Sequence, residues 1–359
     1  MRSIFERLAL LLFGICAALA VGEIAVRMHR SDRISFNKSL AERERSSKTP
    51  KRTIMDVLRP NGDEVFRGVR YRFNSVGIRG PEYADHSGTG VFRIVIVGDS
   101  VTMGHGVQEE DTYSALLEAA LNARGSERRY EVINLGLSNL NLASAVYRLR
   151  ASGLPLHPDL IVYGFTINDI ESPAYVRSTK GPDGDAHRDW LYRFRHSHSF
   201  LMRALWPRLV SLDNLREPSP GSYLFELREN YFDNPEAWAS FEVELDRLRD
   251  VATSSGACVH VLIHTHLYYL GALHPFGSIY DRVARAVEAR GMTVTQSYPF
   301  FRRLDESRLV VSWFDSHPNA AGHQVLATAL LAGLRDLPGR CWKEGAVPDA
   351  VEFQQANIH

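Results

Sequence analysis

Phe92-Arg93-Ile94-Val95-Ile96-Val97-Gly98-Asp99-Ser100 is the stretch on which the fold turns. Its first six residues are rich in β-branched side chains and long enough for one buried strand. Gly98-Asp99-Ser100 closes the run, and Gly104 and Gly106 follow where the chain bends into a helix-patterned segment. A serine at the carboxyl end of a strand in an α/β sheet stands where such sheets place their ligands. Gly-Asp-Ser is also ordinary turn chemistry, so the tripeptide needs support from the rest of the chain.

Working outward, residues 130–135, 159–165, 258–264 and 292–294 read as further strands. Helical spacing separates them. Tyr113, Leu116, Leu117, Ala120 and Leu121 share one face behind Asp111 as the cap, and Leu142, Ala145, Val146 and Leu149 share another. Phe241, Leu245 and Leu248, then Ile279, Val283 and Val287, repeat the pattern; Val325, Leu326, Ala329 and Leu330 follow the cap Asn319. This alternation predicts an α/β domain with a five-stranded parallel sheet covered on both faces, over residues 91–340 with a tail at 341–359. Residues 31–90 form a polar tether and a small preface, in which Val69, Tyr71 and Phe73 alternate with Arg70 and Arg72 up to the turn at Asn74. An irregular insertion spans about residues 171–234; long loops over a rigid sheet carry specificity. The simpler reading of its apolar part, Phe200 to Leu212, is two short helices broken at Pro207 and packed on the core.

The chain has 359 residues, of which 45% are hydrophobic and 23% charged, an ordinary globular composition. Its 42 basic and 42 acidic residues balance, which leaves no electrostatic footprint for nucleic acid. Three cysteines make no disulfide framework; Cys258 and Cys341 are compatible with one bridge or with two free thiols. Residues 1–30 open with Arg2 and Arg7 and continue as an apolar run, the pattern of a membrane anchor or a signal peptide. An uncleaved anchor places the rest of the chain outside the cytoplasm, and a cleaved segment makes it a secreted protein.

A nucleophilic serine needs a base, a group that orients the base, and donors for an oxyanion. Candidates follow each strand in order: Ser100 after the first, Asn139 after the second, Asn168 after the third, and Asp315 with His317 before the last helix. Right-handed connections bring these strand ends to one edge of the sheet. In this order and over residues 92–334 the blocks resemble the SGNH (GDSL-type) hydrolase superfamily. The resemblance implies a flavodoxin-like three-layer α/β/α sandwich, Ser100 as nucleophile, His317 as base and Asp315 as its orienting acid. It also implies an oxyanion hole from the Ser100 and Asn139 backbone N–H groups with the Asn168 amide, and no metal or organic cofactor. Asn74-Ser75-Val76-Gly77-Ile78-Arg79-Gly80 is similar to a lead-in of exported, anchored bacterial members.

The chain departs from that pattern at three points. Asn139 stands where a glycine is usual, Thr166 opens a block that normally begins with glycine, and Asp315 lies two residues before His317 instead of three. Residues two apart in an extended segment point the same way, so Asp315 fits if that segment is a strand; Asp305 or solvent is the other candidate. Asp99 reads as a turn residue that supports the serine, Asn319 as a cap, and His323 as a surface residue. His196-Ser197-His198 and His264-Thr265-His266 have metal-compatible spacing but no carboxylate or cysteine at a recognisable distance, so pocket-rim positions suit His264 and His266 better. The expected activity is hydrolysis of an ester, with a small acyl group on a carbohydrate or envelope polymer favoured over lipid. The alternatives are an O-acyltransferase working through the same acyl-enzyme, or a non-catalytic envelope-binding protein with a degenerate oxyanion hole.

Overall fold

The computed structural model describes residues 2–29, 59–66, 68–83, 90–123, 128–171, 227–267, 270–271, 274–312 and 315–342. Helix α1 (Arg2–His29) belongs to a different compact unit from the other described elements. It exposes Leu10, Leu11, Phe13, Ile15 and Val21, and among the described residues no helix is long and apolar enough to cross a membrane. The tether at 31–53, the apolar part of the insertion (200–212) and His196–His198 lie outside the described residues.

The second unit begins with an antiparallel pair, β1 (Asp63–Phe66) and β2 (Val69–Arg72), in which Val69 and Tyr71 are buried and Arg70 and Arg72 exposed. The expected alternation is therefore present. The central strand β3 (Val91–Gly98) runs into a one-turn helix α2 (Ser100–Met103), and helix α3 (Tyr113–Asn122) leads back to β4 (Arg129–Asn134). After α4 (Leu142–Arg148) comes β5 (Leu160–Phe165), then α5 (Pro235–Ser255), β6 (Cys258–Ile263), α6 (Gly277–Glu288) and β7 (Thr293–Gln296). The short helix α7 (Tyr298–Phe301) and a hairpin of β8 (Val310–Ser312) and β9 (Asp315–Pro318) precede α8 (Ala320–Arg335).

The five central strands are all parallel, in the order β4-β3-β5-β6-β7. Both faces are covered, so β5 is buried along its whole length and β3 from Phe92 onward. Side-chain alternation along β3 divides the core. Val95 and Val97 join one cluster with residues of α4, α5 and α6, while Phe92, Ile94 and Ile96 join another with α3 and α8. The chain leaves β3 to build β4 on one side, then crosses to build β5 on the other. The carboxyl end of β3 is thus the topological switch point, where ligands of open α/β sheets bind.

Two local expectations need correction. Helix α3 is capped by Thr112, whose Oγ1 accepts the Ala115 N–H at 3.3 Å, because Asp111 is taken up as the last residue of a 3-10 turn. The packed domain also runs past 340: Cys341 and Trp342 are buried, and Cys341 is bonded to Cys258 at the start of β6. Trp342 lies against Phe92 with ring centroids 5.3 Å apart. The bridge needs two cysteines 83 residues apart to meet, which only the packing of this segment against the sheet arranges.

Candidate active site

Gly98, the last residue of β3, sits beside Gly164 of β5. A Cβ on Gly98 would come within 2.7 Å of the Gly164 carbonyl and closer still to Thr102 Oγ1, so glycine is required where the chain turns over the sheet edge. Asp99 then caps α2, its Oδ1 accepting the Val101 N–H at 2.9 Å. That turn sets Ser100 at the rim, half-buried.

The base arrives from the other end of the chain. Asn319 caps α8 by accepting the Gly322 N–H at 3.1 Å, and its Nδ2 donates to the carbonyls of Arg308 and Val310. One side chain thereby fixes both the helix and the hairpin that carries His317. Ser100 Oγ lies 2.8 Å from His317 Nε2, and His317 Nδ1 lies 2.6 Å from Asp315 Oδ1. Because β9 is extended, the two-residue spacing puts both side chains on one face. The same Asp315 Oδ1 also accepts the His317 backbone N–H at 3.1 Å. Asp305 stands apart as the cap of a 3-10 turn.

Burial pushes the His317 imidazole down, but the hydrogen bond and charge of Asp315, with the charge of Asp99, outweigh it and leave His317 above the usual histidine value. Burial pushes Asp315 up; hydrogen bonds from His105 and His317 overcome this and hold it well below the usual carboxylate range. The pair is therefore an ion pair at rest in the mildly acidic range. Deprotonated His317 is the form able to take the Ser100 proton.

Behind the serine lies a polar interior. Asp99 Oδ2 is 3.4 Å from Ser100 Oγ and 3.0 Å from Thr166 Oγ1, which is also 3.0 Å from Asp169 Oδ1. Tyr163 OH and the Thr166 N–H donate to Asp169 Oδ2. Thr166 has a single hydroxyl proton for two carboxyl groups, so a second proton on the pair is needed for both contacts to be hydrogen bonds. Burial raises both carboxyls, and the charge of Asp99 raises Asp169 further. With that proton in place Asp99 competes less for the Ser100 hydroxyl, which is the closer to His317.

Asn139 adopts the left-handed backbone, with φ 64°, and its side chain is exposed. This is the conformation that glycine supplies at such a position and that asparagine tolerates. Asn168 lies half-buried in the turn after β5, four residues beyond Gly164. All five expected site residues thus lie at or above the carboxyl edge of the sheet. His266 is half-buried beyond β6, and burial, with the neighbouring His274 and His317, depresses it to about 3. His264 is fully buried rather than at the rim, and burial depresses it to about 3.

His323 is a correction: it is completely buried, its Nδ1 accepts the Tyr113 N–H at 3.1 Å, and it stacks on the Tyr113 ring. Its spacing to Leu326 and Leu330 on α8 places it on the inward helix face. His105 is a member of the site that the sequence reading did not single out, and Thr166 was noted there only as a departure from the family pattern. His105 Nε2 lies 3.4 Å from Asp315 Oδ2. The only signal for it was one non-glycine residue held between two glycines.

Residues 96–325 match the model of the GDSL-like lipase/acylhydrolase family. No curated protein gives a significant sequence match. Among solved structures, similarity is found to LAE5, an alpha/beta hydrolase enzyme from the metagenome of Lake Arreo, Spain, at 21% identity and a TM-score of 0.42, covering 70% of this chain and 96% of that one. TesA is similar at 18% identity and a TM-score of 0.41, covering 68% and 98%. Axe2, an acetylxylan esterase from Geobacillus stearothermophilus, is similar at 16% identity and a TM-score of 0.40, covering 67% and 93%. The family match spans well over half of the chain, from β3 into α8, and takes in Ser100 and His317. The chain belongs to the GDSL-like lipase/acylhydrolase (SGNH-type) family of hydrolases that act on ester bonds.

Proposed function

We propose that the protein is a serine esterase working through an acyl-enzyme on Ser100. The observation that carries this reading is the unbroken relay from Ser100 Oγ to His317 Nε2, and from His317 Nδ1 to Asp315. In the first step Ser100 Oγ attacks the ester carbonyl while His317 Nε2 takes its proton; Asp315 holds the resulting imidazolium. The oxyanion is met by the backbone N–H groups of Ser100 and Asn139 and the side-chain amide of Asn168. His317 returns the proton to the departing alcohol. Water, deprotonated by His317, then attacks the acyl-enzyme and frees the acid and Ser100.

The favoured substrate is a small acyl group on a carbohydrate or envelope polymer. Polar side chains at the strand ends around Ser100 (His105, Asn139, Asn168 and His266) suit a hydroxylated substrate better than a lipid tail. The Cys258–Cys341 bridge supports a site of action outside the reducing cytoplasm. Helix α1, with its exposed leucines behind Arg2 and Arg7, then serves as an export segment or anchor.

The test is fluorophosphonate labelling of the purified protein beside Ser100→Ala and His317→Ala, with p-nitrophenyl esters from acetyl to palmitoyl. Labelling at Ser100, abolished in both variants, with turnover greatest for acetyl is expected. A folded wild-type protein that neither labels nor turns over any ester would overturn the reading. Free acid replaced by acyl transfer when a sugar acceptor is added would assign the acyl-enzyme to an acyltransferase instead.

A further inference from the structure

His105 takes no part in the proton relay, yet it faces the relay at two points. Its Nε2 lies 3.4 Å from Asp315 Oδ2, the oxygen that His317 leaves unused. Its ring centroid lies 4.5 Å from that of His317, with the planes inclined by 40°. Both His105 and Asp315 are largely buried, with side chains 13% exposed.

The position of His105 is built by the surrounding chain. It sits between Gly104 and Gly106, with φ of 79° and 81°, a backbone that strains any residue with a Cβ. The loop is held from the preface. Buried Arg79 donates through Nη1 to the carbonyls of Met103 and Gly104, at 2.7 and 2.8 Å, and through Nη2 to Val107 at 2.8 Å. Tyr71, whose ring lies 4.5 Å from the Arg79 guanidinium carbon, accepts the Gly106 N–H on its hydroxyl at 2.8 Å. His105 N–H itself donates to the Ser100 carbonyl at 3.0 Å. The lead-in sequence at residues 74–80 thus clamps the loop that carries both the nucleophile and His105.

We propose that His105 is a positioning residue for the hydrolysis: its Nε2–H holds Asp315 Oδ2, so that the carboxylate keeps Oδ1 on His317. With the acid only two residues from the base, both bonds of Asp315 to His317 fall on the same oxygen, and nothing in that local ring fixes the carboxylate plane. A second donor on the other oxygen does. It also draws charge from Asp315 that would otherwise act on His317. The groups facing His317 are Asp315 on its own strand, Asp99 at the nucleophile turn and His105 on the glycine loop, with His266 beyond β6 and His323 on α8 more remote. Removing His105 leaves Asp99 in place and gives Asp315 its full charge, so His317 holds its proton to higher pH.

The kinetic part of this proposal rests on the esterase reading, so the test pairs turnover with a measurement independent of it. His105→Ala and His105→Gln are made in the full chain; kcat and KM for p-nitrophenyl acetate are measured from pH 5 to 9, and the His317 imidazole is titrated by NMR. His105→Ala is expected to lower kcat about ten-fold, as a mispositioned catalytic group does, with KM little changed. Both the acid limb of the rate profile and the His317 midpoint should move upward in pH. Glutamine, whose amide offers an N–H near the place of Nε2, should restore most of kcat and return the midpoint toward wild type. An unmoved His317 midpoint in His105→Ala, or equal slowing by alanine and glutamine, would overturn the proposal. A wild-type protein without turnover whose His317 midpoint still moves with His105→Ala would sink the esterase reading and leave the contact with Asp315 supported.

Discussion

The two edges of the central sheet handle buried polar groups in opposite ways. At the amino edge the buried charge of Arg93 is paired. Arg93, with a side chain 3% exposed, pairs with Glu131 at 2.8 Å and donates to the Leu156 carbonyl, while its backbone N–H donates to Asp159. Arg128 donates to the Trp342 carbonyl, and the Cys258–Cys341 bond ties the same end together. At the carboxyl edge, Asp99 and Asp169 are buried among hydroxyls and backbone N–H groups and share too few protons. Neither ring nitrogen of His264 has a hydrogen-bond partner among the described residues. The first arrangement stabilises the fold; the second holds titratable groups away from their ordinary values, as a reacting centre requires.

That contrast can be broken from either side. The largest effect should come from Ser100→Ala or His317→Ala, each lowering kcat by about 10⁴-fold or more while Tm, read by calorimetry in the alkaline range where His317 is neutral, stays near wild type. A fall in Tm as large as that of the amino-edge variants would dissolve the distinction. Next, replacing Cys258 and Cys341 together with serine should cost about 2–5 kcal/mol of stability in denaturant titrations, with kcat at 25 °C unchanged. Arg93→Met should cost about 3 kcal/mol by leaving Glu131 with only the exposed Arg129, 3.5 Å away, and adding Glu131→Gln should recover part of that loss.

The smallest effect is a matter of pH, and it sharpens the comparison. His317 is raised, so its contribution to stability is complete below the ordinary histidine value and is lost as pH rises through its own. Asp315 is lowered, so its contribution is complete above the ordinary carboxylate value and is lost as pH falls. The pair therefore stabilises the fold most between about pH 4 and 6.5. In that range His317 is protonated and hydrolysis is slow. The Tm difference between wild type and His317→Ala should peak there, while kcat/KM climbs only above it.

Much of this was legible in the sequence where local chemistry decides the outcome. The run at 92–97 needed no partner to be recognised as a buried strand, and Asn319 was a cap by its own side chain. Asn139 was read as standing in a glycine's place, and its φ of 64° is a backbone glycine adopts freely. Elsewhere, tertiary contacts decided. Asp111 and Thr112 are both good caps, and a 3-10 turn at 109–111 selects the second. The hairpin at 310–318 has strands of three and four residues, too short for any alternation to show. His105 and Thr166 act through residues more than sixty positions away, and no spacing rule reaches that far. His323 was within reach, since its helical register already pointed inward.

The bond between Cys258 and Cys341 has a topological consequence. It closes a covalent ring that contains Asp315 and His317 and leaves Ser100 outside. A protease that cuts once inside the ring yields two pieces that remain a single molecule, so base and acid cannot drift away from the nucleophile. After reduction, a cut between Cys258 and Asp315 frees the fragment that carries both. Resistance to nicking is thus written into the oxidation state of one bond at the opposite edge of the sheet.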